Sequence, residues 1–230
     1  MENSKQMNKD YTHIIVVLDR SGSMDVVRDD TIGGFNTFIK EQKSKPGKAT
    51  ITLAQFSHKY SLVMDMKPLS ETNLLTKKTY QPNGYTALHD AVCKTIDNVG
   101  RQLSDMPEHE RPGLVMCVII TDGGENASRE FGFEDVKKRI DTQTNDYKWQ
   151  FVFIGANVDA FAVGNQFGIK QGNILQYTQN AVGTKCAFSS LSNNTADYRR
   201  MSASGQSLNA KDFFDQRDRD AQAKSKVGKI

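Results

Sequence analysis

The sequence predicts an α/β fold: a doubly wound, mostly parallel central sheet with one antiparallel edge strand and helices on both faces. Three observations predict it. Short β-branched apolar runs alternate along the chain with segments of helical periodicity. The runs at 14–18 and 114–120 are apolar at successive residues, which is typical of parallel strands covered on both sides. The runs at 49–56 and 60–66 are joined by the short "SHKY" and alternate more, which predicts an antiparallel hairpin at one edge.

The apolar runs define the predicted strands. They share β-branched and aromatic content, and they lie at 13–18, 49–56, 60–66, 113–120, 149–155 and 173–178. The single tryptophan, Trp149, begins the fifth run, and we expect it to pack in the core or at a sheet edge.

The strongest helix pattern lies in the middle of the chain, where apolar residues recur at helical spacing from Leu88 to Val99 and Gly100 predicts the end of the helix. A second helix is predicted from about Asp25 to Lys43, and we expect Gly33 and Gly34 inside it to permit close packing on the sheet. Three further helices are predicted: one after Gly132, one capped by Asp159 and closed by Gly168, and one over 181–201.

The two ends of the chain differ from its middle in composition. We expect a flexible N-terminus over 1–10, one domain over 11–201, and a poorly ordered C-terminal tail over 202–230, which has few apolar residues and mixed charge. Phe213 and Phe214 are the exception in that tail. Two interpretations stay open: a tail that docks weakly or not at all, or a short peptide anchor for another protein.

Composition bounds the class of protein. The chain has 230 residues, of which 37% are hydrophobic and 25% charged, enough for one large domain with a buried core. The net charge of +3 is small and the basic residues form no run, so the sequence does not predict binding to nucleic acid.

Cysteine usage and the N-terminal sequence indicate the compartment. The three cysteines, Cys93, Cys117 and Cys186, are far apart and lack Cys-x-x-Cys spacing, which favours reduced thiols over a zinc site or a disulfide framework. The N-terminus "MENSKQMNKDYT" is polar, and no apolar run approaches the length of a membrane span. We therefore expect a cytoplasmic protein that does not enter a membrane.

Oxygen-bearing side chains gather in "DRSGSMD", directly after the first predicted strand. Because side chains alternate along extended backbone, Asp19, Ser21 and Ser23 are expected to point to the same side of the loop. Ligands of doubly wound sheets bind in the crevice at the carboxyl ends of the strands, where the strand order reverses. The segment therefore lies where a binding site is expected.

Two further pieces come from distant sequence. Thr86 in "NGYTALHDA" precedes the strongest helix, and Asp122 in "VIITDGGEN" follows the run 114–120. With Asp19, Ser21 and Ser23 they make five oxygen donors without nitrogen or sulfur. Such a set suits a hard divalent cation, Mg²⁺ first, with Mn²⁺ or Ca²⁺ as alternatives.

Each piece alone has a plainer interpretation. A serine in this position often caps the following helix, a threonine such as Thr86 can do the same, and an aspartate before two glycines is common in turns. Asp25, Asp90 and Glu125 lie near these pieces in sequence, and we interpret them as solvated or helix-face carboxylates rather than as supports of a metal site. The three pieces together favour the metal site.

The order Asp-x-Ser-x-Ser, then Thr, then Asp resembles the metal-ion-dependent adhesion site (MIDAS) of von Willebrand factor type A (vWA) domains, over about residues 10 to 200. The resemblance implies a Rossmann-like fold. It also implies that the two serine hydroxyls contact the metal directly, the threonine does so directly or through water, and the aspartates largely hold water ligands. One coordination position is then left for a carboxylate from outside.

The resemblance implies a protein-binding module rather than an enzyme: an intracellular adaptor or subunit of a larger assembly that recognises an Asp or Glu of a partner protein. The alternatives are a Mg²⁺-dependent phosphohydrolase, with Asp19 as phosphoryl acceptor, and an RNA-associated vWA protein. Ser21 stands where the first alternative needs a second aspartate, and no Gly-x-Ser-x-Gly, His-Glu-x-x-His or phosphate-loop motif occurs. The chain also lacks the helical repeats of the RNA-associated proteins. The partner and the oligomeric state stay open.

Overall fold

The strands form one sheet. The structure, a computed structural model, describes residues 7–157, 159–208 and 211–226. In this part of the chain the strands are β1 (Asn8–Asp19), β2 (Lys48–Phe56), β3 (Tyr60–Pro68), β4 (Pro112–Thr121), β5 (Gln150–Gly155) and β6 (Ile174–Gln176). Their order in the sheet is β3-β2-β1-β4-β5-β6. All neighbours are parallel except β2 and β3, so the predicted fold class and the antiparallel edge are confirmed.

Helices cover both faces of the sheet. They are α1 (Arg28–Lys43), α2 (Leu88–Asp105), α3 (Phe133–Asn145), α4 (Ala160–Gln166), α5 (Ala181–Ala203) and α6 (Gln216–Ser225). Buried residues of α1 and α5 share one core, and those of α2 to α4 share the other. A 3-10 turn over Gly22–Val27 precedes α1, which therefore begins later than predicted. Within the described residues, no helix combines the length and apolarity needed to cross a membrane.

The central strand β1 joins the two cores. Ile14 and Val16 lie in the core with α1, whereas Ile15 and Val17 lie in the core with α2. Because alternate side chains of a strand point to opposite faces, a strand covered on both sides must be apolar at successive residues. This is the pattern from which the parallel sheet was predicted.

Two smaller sequence predictions are confirmed. Asp159 caps α4, since its Oδ1 accepts a hydrogen bond from the backbone N of Ala162 at 2.9 Å. Trp149 is buried and stacks on Phe151 with ring centroids 6.2 Å apart.

Gly100 does not end the middle helix, contrary to the prediction. The helix α2 continues to Asp105 and is followed by Pro107, which cannot extend it. The extra turn carries Leu103 into the core beside α2. Burial of that leucine outweighs the unfavourable helix propensity of the glycine, which is about 1 kcal/mol.

One of the two glycines of α1 permits close packing, and it does so against a helix, not against the sheet as predicted. A Cβ built on Gly34 would lie 2.3 Å from Cδ2 of Phe188 in α5, whereas nothing lies within 4 Å of a Cβ built on Gly33. Only Gly34 is therefore required to be glycine by packing.

The C-terminal segment is folded where low order was expected. Phe213 and Phe214 are 0% and 1% exposed, their rings meet edge to face, and Phe213 meets Tyr198 of α5 in the same way. The helix α6 follows them. The average composition of this segment underestimated its order, because two aromatic rings bury as much apolar area as several smaller residues. Both open interpretations, a weakly docked tail and an anchor for another protein, are wrong for these two rings.

Parts of the predicted termini cannot be compared. Residues 1–6 of the expected flexible N-terminus, and 209–210 and 227–230 of the expected tail, lie outside the described residues. Within the described part, β1 already begins at Asn8. The limits 11–201 of the domain stay a prediction.

His13 is a fully buried histidine in the middle of β1. Its Nδ1 lies 2.8 Å from Oγ1 of Thr50, and its Nε2 lies 3.2 Å from Oγ1 of Thr52. Burial lowers the pKa of His13 to about 3, so the ring is neutral near neutral pH. The histidine is therefore a structural residue of the core.

We predict that His13 makes the fold acid-sensitive. Its pKa in the folded protein lies below the ordinary value of 6.5, so the unfolded chain takes up the proton first as the pH falls. Relative to His13→Gln, the wild type should lose about 1.4 kcal/mol of unfolding free energy per pH unit below about pH 6. Urea unfolding of both proteins between pH 4 and 8 measures this, and parallel pH profiles would contradict it.

Candidate metal-binding site

The candidate site lies where the strand order reverses. The strands β1 and β4 are neighbours in the sheet, although β2 and β3 lie between them in sequence. Leu18 is paired with Ile120, so Asp19 at the end of β1 comes beside Thr121 at the end of β4. Asp122 follows directly. The topology therefore brings the two predicted aspartates to the same edge of the sheet.

Asp19 is fixed from three directions. Its Oδ1 accepts a hydrogen bond from the backbone N of Ser21 at 2.6 Å, and its Oδ2 accepts one from Oγ1 of Thr121 at 2.6 Å. The hydroxyl of the buried Tyr80 donates to its backbone O, also at 2.6 Å. The side chain of Asp19 is fully buried. It therefore determines the shape of the turn that carries the serines.

The two serines connect this turn to Asp122. Oγ of Ser21 and Oγ of Ser23 are 3.1 Å apart, and Ser23 Oγ donates to Oδ1 of Asp122 at 2.7 Å. Ser21 is buried and Ser23 is exposed. The hydroxyl row thus runs from the interior to the surface, where an outside group can reach it.

Thr86 arrives on a loop that is bound to the serine turn. The backbone N of Gly22 donates to O of Gly84 at 2.9 Å, which holds the two loops together. A Cβ built on Gly123 would lie 3.3 Å from Oγ1 of Thr86 and 3.7 Å from Oγ of Ser23. Both hydroxyls therefore border the same small space above Gly123. The structure brings all five predicted residues together.

The two aspartates lack a positive partner. Within the described residues, no Lys, Arg or His forms an ion pair with either carboxylate. Burial raises the pKa of Asp19 to about 6, and the charge of Asp122 adds to this shift while the hydrogen bonds from Thr121 and Ser21 oppose it. Burial also raises the pKa of Asp122.

The residues present fit a hard divalent cation. Two buried carboxylates without a counter-charge, together with neutral hydroxyls, form the oxygen-only environment that Mg²⁺, Mn²⁺ and Ca²⁺ prefer. Among the described residues, no group of three or more His, Cys, Asp or Glu side chains is arranged to hold a metal. A cation here would therefore depend on the hydroxyls of the serines and the threonine.

Two carboxylates near the site have a role that the sequence interpretation missed. Asp90 accepts hydrogen bonds from the backbone N of residues 129, 130 and 131 at 2.9 to 3.0 Å. Glu125 accepts from the backbone N of His89, Ala127 and Ser128. Burial alone would raise the pKa of each, but the backbone donors outweigh it and both pKa values are lowered.

The expectation that they are solvated is therefore wrong for Asp90 and Glu125, because the loop after β4 has no strand partner and its N–H groups need acceptors. The alternative of a helix-face position is right for Asp90, which lies in α2. The interpretation holds for Asp25, whose side chain is 63% exposed and paired with Arg28.

Two further residues that contact the site, Asn126 and Gln179, were not predicted from the sequence. Asn126 joins the loop after β4 to Thr86: its Oδ1 accepts from the backbone N of Thr86 at 2.8 Å, and its own backbone N donates to the O of Thr86 at 3.0 Å. Gln179 donates to Asp122. The segment "DGGEN", which contains Asn126, is typical of a turn, but the sequence around Gln179 gives no signal.

Known structures share this architecture. Proximal thread matrix protein 1 from the mussel byssus matches with a TM-score of 0.54 at 15% identity, over 77% of this chain and 46% of that chain. Manganese-loaded TRAP protein from Plasmodium vivax matches with a TM-score of 0.51 at 12% identity, over 78% of this chain and 72% of that one. The chain has the fold of a von Willebrand factor type A domain. The vWA protein from Catenulispora acidiphila is aligned with a TM-score of 0.48 at 16% identity, over 86% of this chain and 42% of that one.

The likeness is one of fold. All three identities are below 20%, and the chain spans less than half the length of the mussel and Catenulispora chains. No protein-family model and no curated protein sequence matches the chain.

We predict that Asp90 stabilises this vWA fold by holding the loop after β4. Asp90→Ala leaves three backbone N–H groups without their acceptor and should lower the unfolding free energy by about 2 kcal/mol. The matched control is Asp25→Ala, which removes an exposed carboxylate and should change stability by less than about 0.5 kcal/mol. Urea denaturation measures both, and equal losses for the two variants would refute the assignment.

Proposed function

We propose that this chain is a protein-binding module that depends on a divalent cation, Mg²⁺ first and Mn²⁺ or Ca²⁺ as alternatives. Asp19, Ser21, Ser23, Thr86 and Asp122 would hold the cation, and a partner protein would contribute an Asp or Glu to it. One observation carries the proposal: two buried carboxylates, which no Lys, Arg or His of the described residues pairs with, lie beside a row of hydroxyls that reaches the surface.

The donor set explains why the partner group would be acidic. The direct ligands would be the neutral hydroxyls, whereas the two aspartates would act largely through water. The cation's charge would then be only partly neutralised, so it would still attract an anion from outside. At 4 Å and an effective dielectric constant of 20, a divalent cation and a carboxylate attract each other by about 8 kcal/mol before desolvation and the repulsion by the two aspartates are subtracted. The manganese in the TRAP structure, which shares the fold, supports a divalent cation.

The surroundings of the site support a macromolecular partner. Val26, in the turn that carries Ser23, is 77% exposed, and Tyr85, next to Thr86, is 70% exposed. Exposed apolar and aromatic side chains beside a polar centre are typical of protein interfaces. A partner that presents an acidic residue flanked by apolar groups would fit this surface.

The phosphohydrolase alternative is less well supported. A phosphoryl acceptor needs a carboxylate oxygen that can reach the substrate. Asp19 is fully buried, and both its carboxylate oxygens already accept hydrogen bonds from Ser21 and Thr121. We therefore propose binding rather than catalysis. No particular observation favours the RNA-associated alternative.

The finer role is also a proposal. A small binding surface built around one cation suits an adaptor or a subunit of a larger assembly, because it recognises a local feature of a partner. The cytoplasmic location stays a prediction from the sequence.

We predict that Mg²⁺ stabilises the wild type. At a Mg²⁺ concentration of about 100 times the Kd, binding adds about 2.7 kcal/mol, which raises the Tm by roughly 5 to 10 °C for a chain of this size. Asp19→Asn should abolish this shift. In EDTA the same variant should be at least as stable as the wild type, because it keeps the shape of the side chain and removes a buried charge that no ion pair among the described residues balances.

Thermal unfolding with Mg²⁺ and with EDTA measures both effects, and Asp25→Asn is the matched control. The proposal fails if the wild type gains nothing from Mg²⁺, or if Asp19→Asn gains as much as the wild type.

We predict that the exposed apolar residues contribute to partner binding but not to cation binding. Val26→Ser and Tyr85→Ser should each weaken partner capture several-fold and leave the Mg²⁺-dependent Tm shift unchanged. Tyr147→Ser is the matched control. Tyr147 is 58% exposed and precedes β5, so it lies at the amino-terminal end of the parallel strands, whereas the site lies at their carboxyl ends.

Partners can be found by mass spectrometry of proteins recovered in Mg²⁺ with the wild type but not with Asp122→Ala or in EDTA. If the same proteins are captured in EDTA and by Asp122→Ala as by the wild type in Mg²⁺, this result would count against the docking role. Equal capture by Val26→Ser, Tyr85→Ser and Tyr147→Ser would mean that Val26 and Tyr85 do not belong to the partner-binding surface.

A further inference from the structure

Gln179 bridges two segments of the candidate site. It lies between β6 and α5, and its Nε2 donates both to Oδ2 of Asp122 and, at 2.9 Å, to the backbone O of Ser23. One side-chain amide therefore connects the turn after β1 with the turn after β4. Gln179 is not among the five site residues that were predicted from the sequence.

The amide of Gln179 is itself oriented. Nδ2 of Asn157, which follows β5, donates to Oε1 of Gln179. Because the oxygen end is occupied by this donor, the nitrogen end faces Asp122 and Ser23. The hydrogen bonds thus run in one direction: Asn157 donates to Gln179, and Gln179 donates to Asp122.

The two oxygens of Asp122 have different neighbours. Oδ1 accepts from the hydroxyl of Ser23, on the side of the serine row, whereas Oδ2 accepts from Gln179. Gln179 therefore fixes the rotation of the carboxylate so that Oδ1 stays with the hydroxyls. An amide does this without adding charge, whereas a lysine at this position would supply the counter-charge that the two aspartates lack.

The loop that carries Gln179 is supported by the C-terminal helix. Oε1 of Gln222 in α6 accepts from the backbone N of Thr178 at 3.3 Å, and Oγ of Ser225 donates to Oγ1 of Thr178 at 3.1 Å. On the other side of Gln179, Nδ2 of Asn180 donates to the backbone O of Ser225 at 3.3 Å. Both neighbours of Gln179 are therefore held by α6.

We infer that Gln179 is a positioning residue of the cation site, which orients Asp122 and connects its turn to the serine turn. The inference rests on the proposed function. Side chains that orient metal ligands typically contribute a factor of about 10 to 100 in metal affinity. We therefore expect Gln179→Leu to weaken Mn²⁺ binding about tenfold. Asn157→Ala, which frees the amide to rotate, should weaken it in the same direction by a smaller factor.

The experiment is isothermal titration of Mn²⁺ into the full chain, with thermal unfolding in EDTA as a second measurement. Gln171→Leu is the matched control, because Gln171 is an exposed glutamine in the preceding connection. A purely structural role of Gln179 would lower the Tm in EDTA and leave the affinity of the folded protein unchanged. A positioning role lowers the affinity while the Tm in EDTA stays close to that of Gln171→Leu.

The outcomes separate the inference from the proposed function. A tenfold loss of affinity in Gln179→Leu, with Gln171→Leu unchanged, supports the positioning role. Unchanged affinity overturns it, and so does tighter binding, which would mean that the amide competes with the cation for Asp122. If the wild type itself takes up no Mn²⁺, the proposed function fails together with this inference. If the wild type binds and Gln179→Leu binds equally well, only this inference fails.

Discussion

The pairing of β1 with β4 at the centre of the sheet is the constraint on which the site depends. It brings Asp19 and Asp122 to the same edge, where burial removes water and where, in the part of the chain that the structure describes, no basic side chain forms an ion pair with them. Burying carboxylates without a counter-charge opposes folding. A positive charge that binds beside such a pair at the open edge would therefore stabilise the folded chain. The hydroxyls of the serines and the threonine surround this charge without neutralising it.

The loops around the aspartates are ordered mainly by side chains that bind backbone groups. Asp90 and Glu125 accept from N–H groups of the loop after β4, Asn126 binds Thr86 on both its N and its O, and Tyr80 donates to the end of β1. Loops at the end of a parallel sheet have no neighbouring strand, so their polar backbone groups need such partners. The same contacts fix the positions of the site residues, which preorganises them for a ligand.

The C-terminal segment connects the far end of the chain with this edge of the sheet. Phe213 and Phe214 are buried against the core that α5 covers, and they lead into α6, which supports the residues on both sides of Gln179. The apolar anchor and the polar contacts have separate roles, since burial provides the stability and the hydrogen bonds set the position of the loop. The site therefore includes structure formed by residues beyond the last predicted helix.

The sequence by itself determined the fold class, the strands and the five residues that meet at the sheet edge. Strand periodicity and the apolar pattern of β1 and β4 are local signals, and a parallel sheet brings the ends of its strands together. Only the tertiary structure decided which polar side chains support them: Asp90 binds backbone 39 to 41 residues away, and Gln179 binds Asp122 and Ser23 at separations of 57 and 156 residues. Gly100 inside α2 and the buried pair Phe213 and Phe214 were decided in the same way. A hydrogen bond or an aromatic contact between distant segments leaves no periodic trace in the sequence, because its partner is set by the packing of the whole chain.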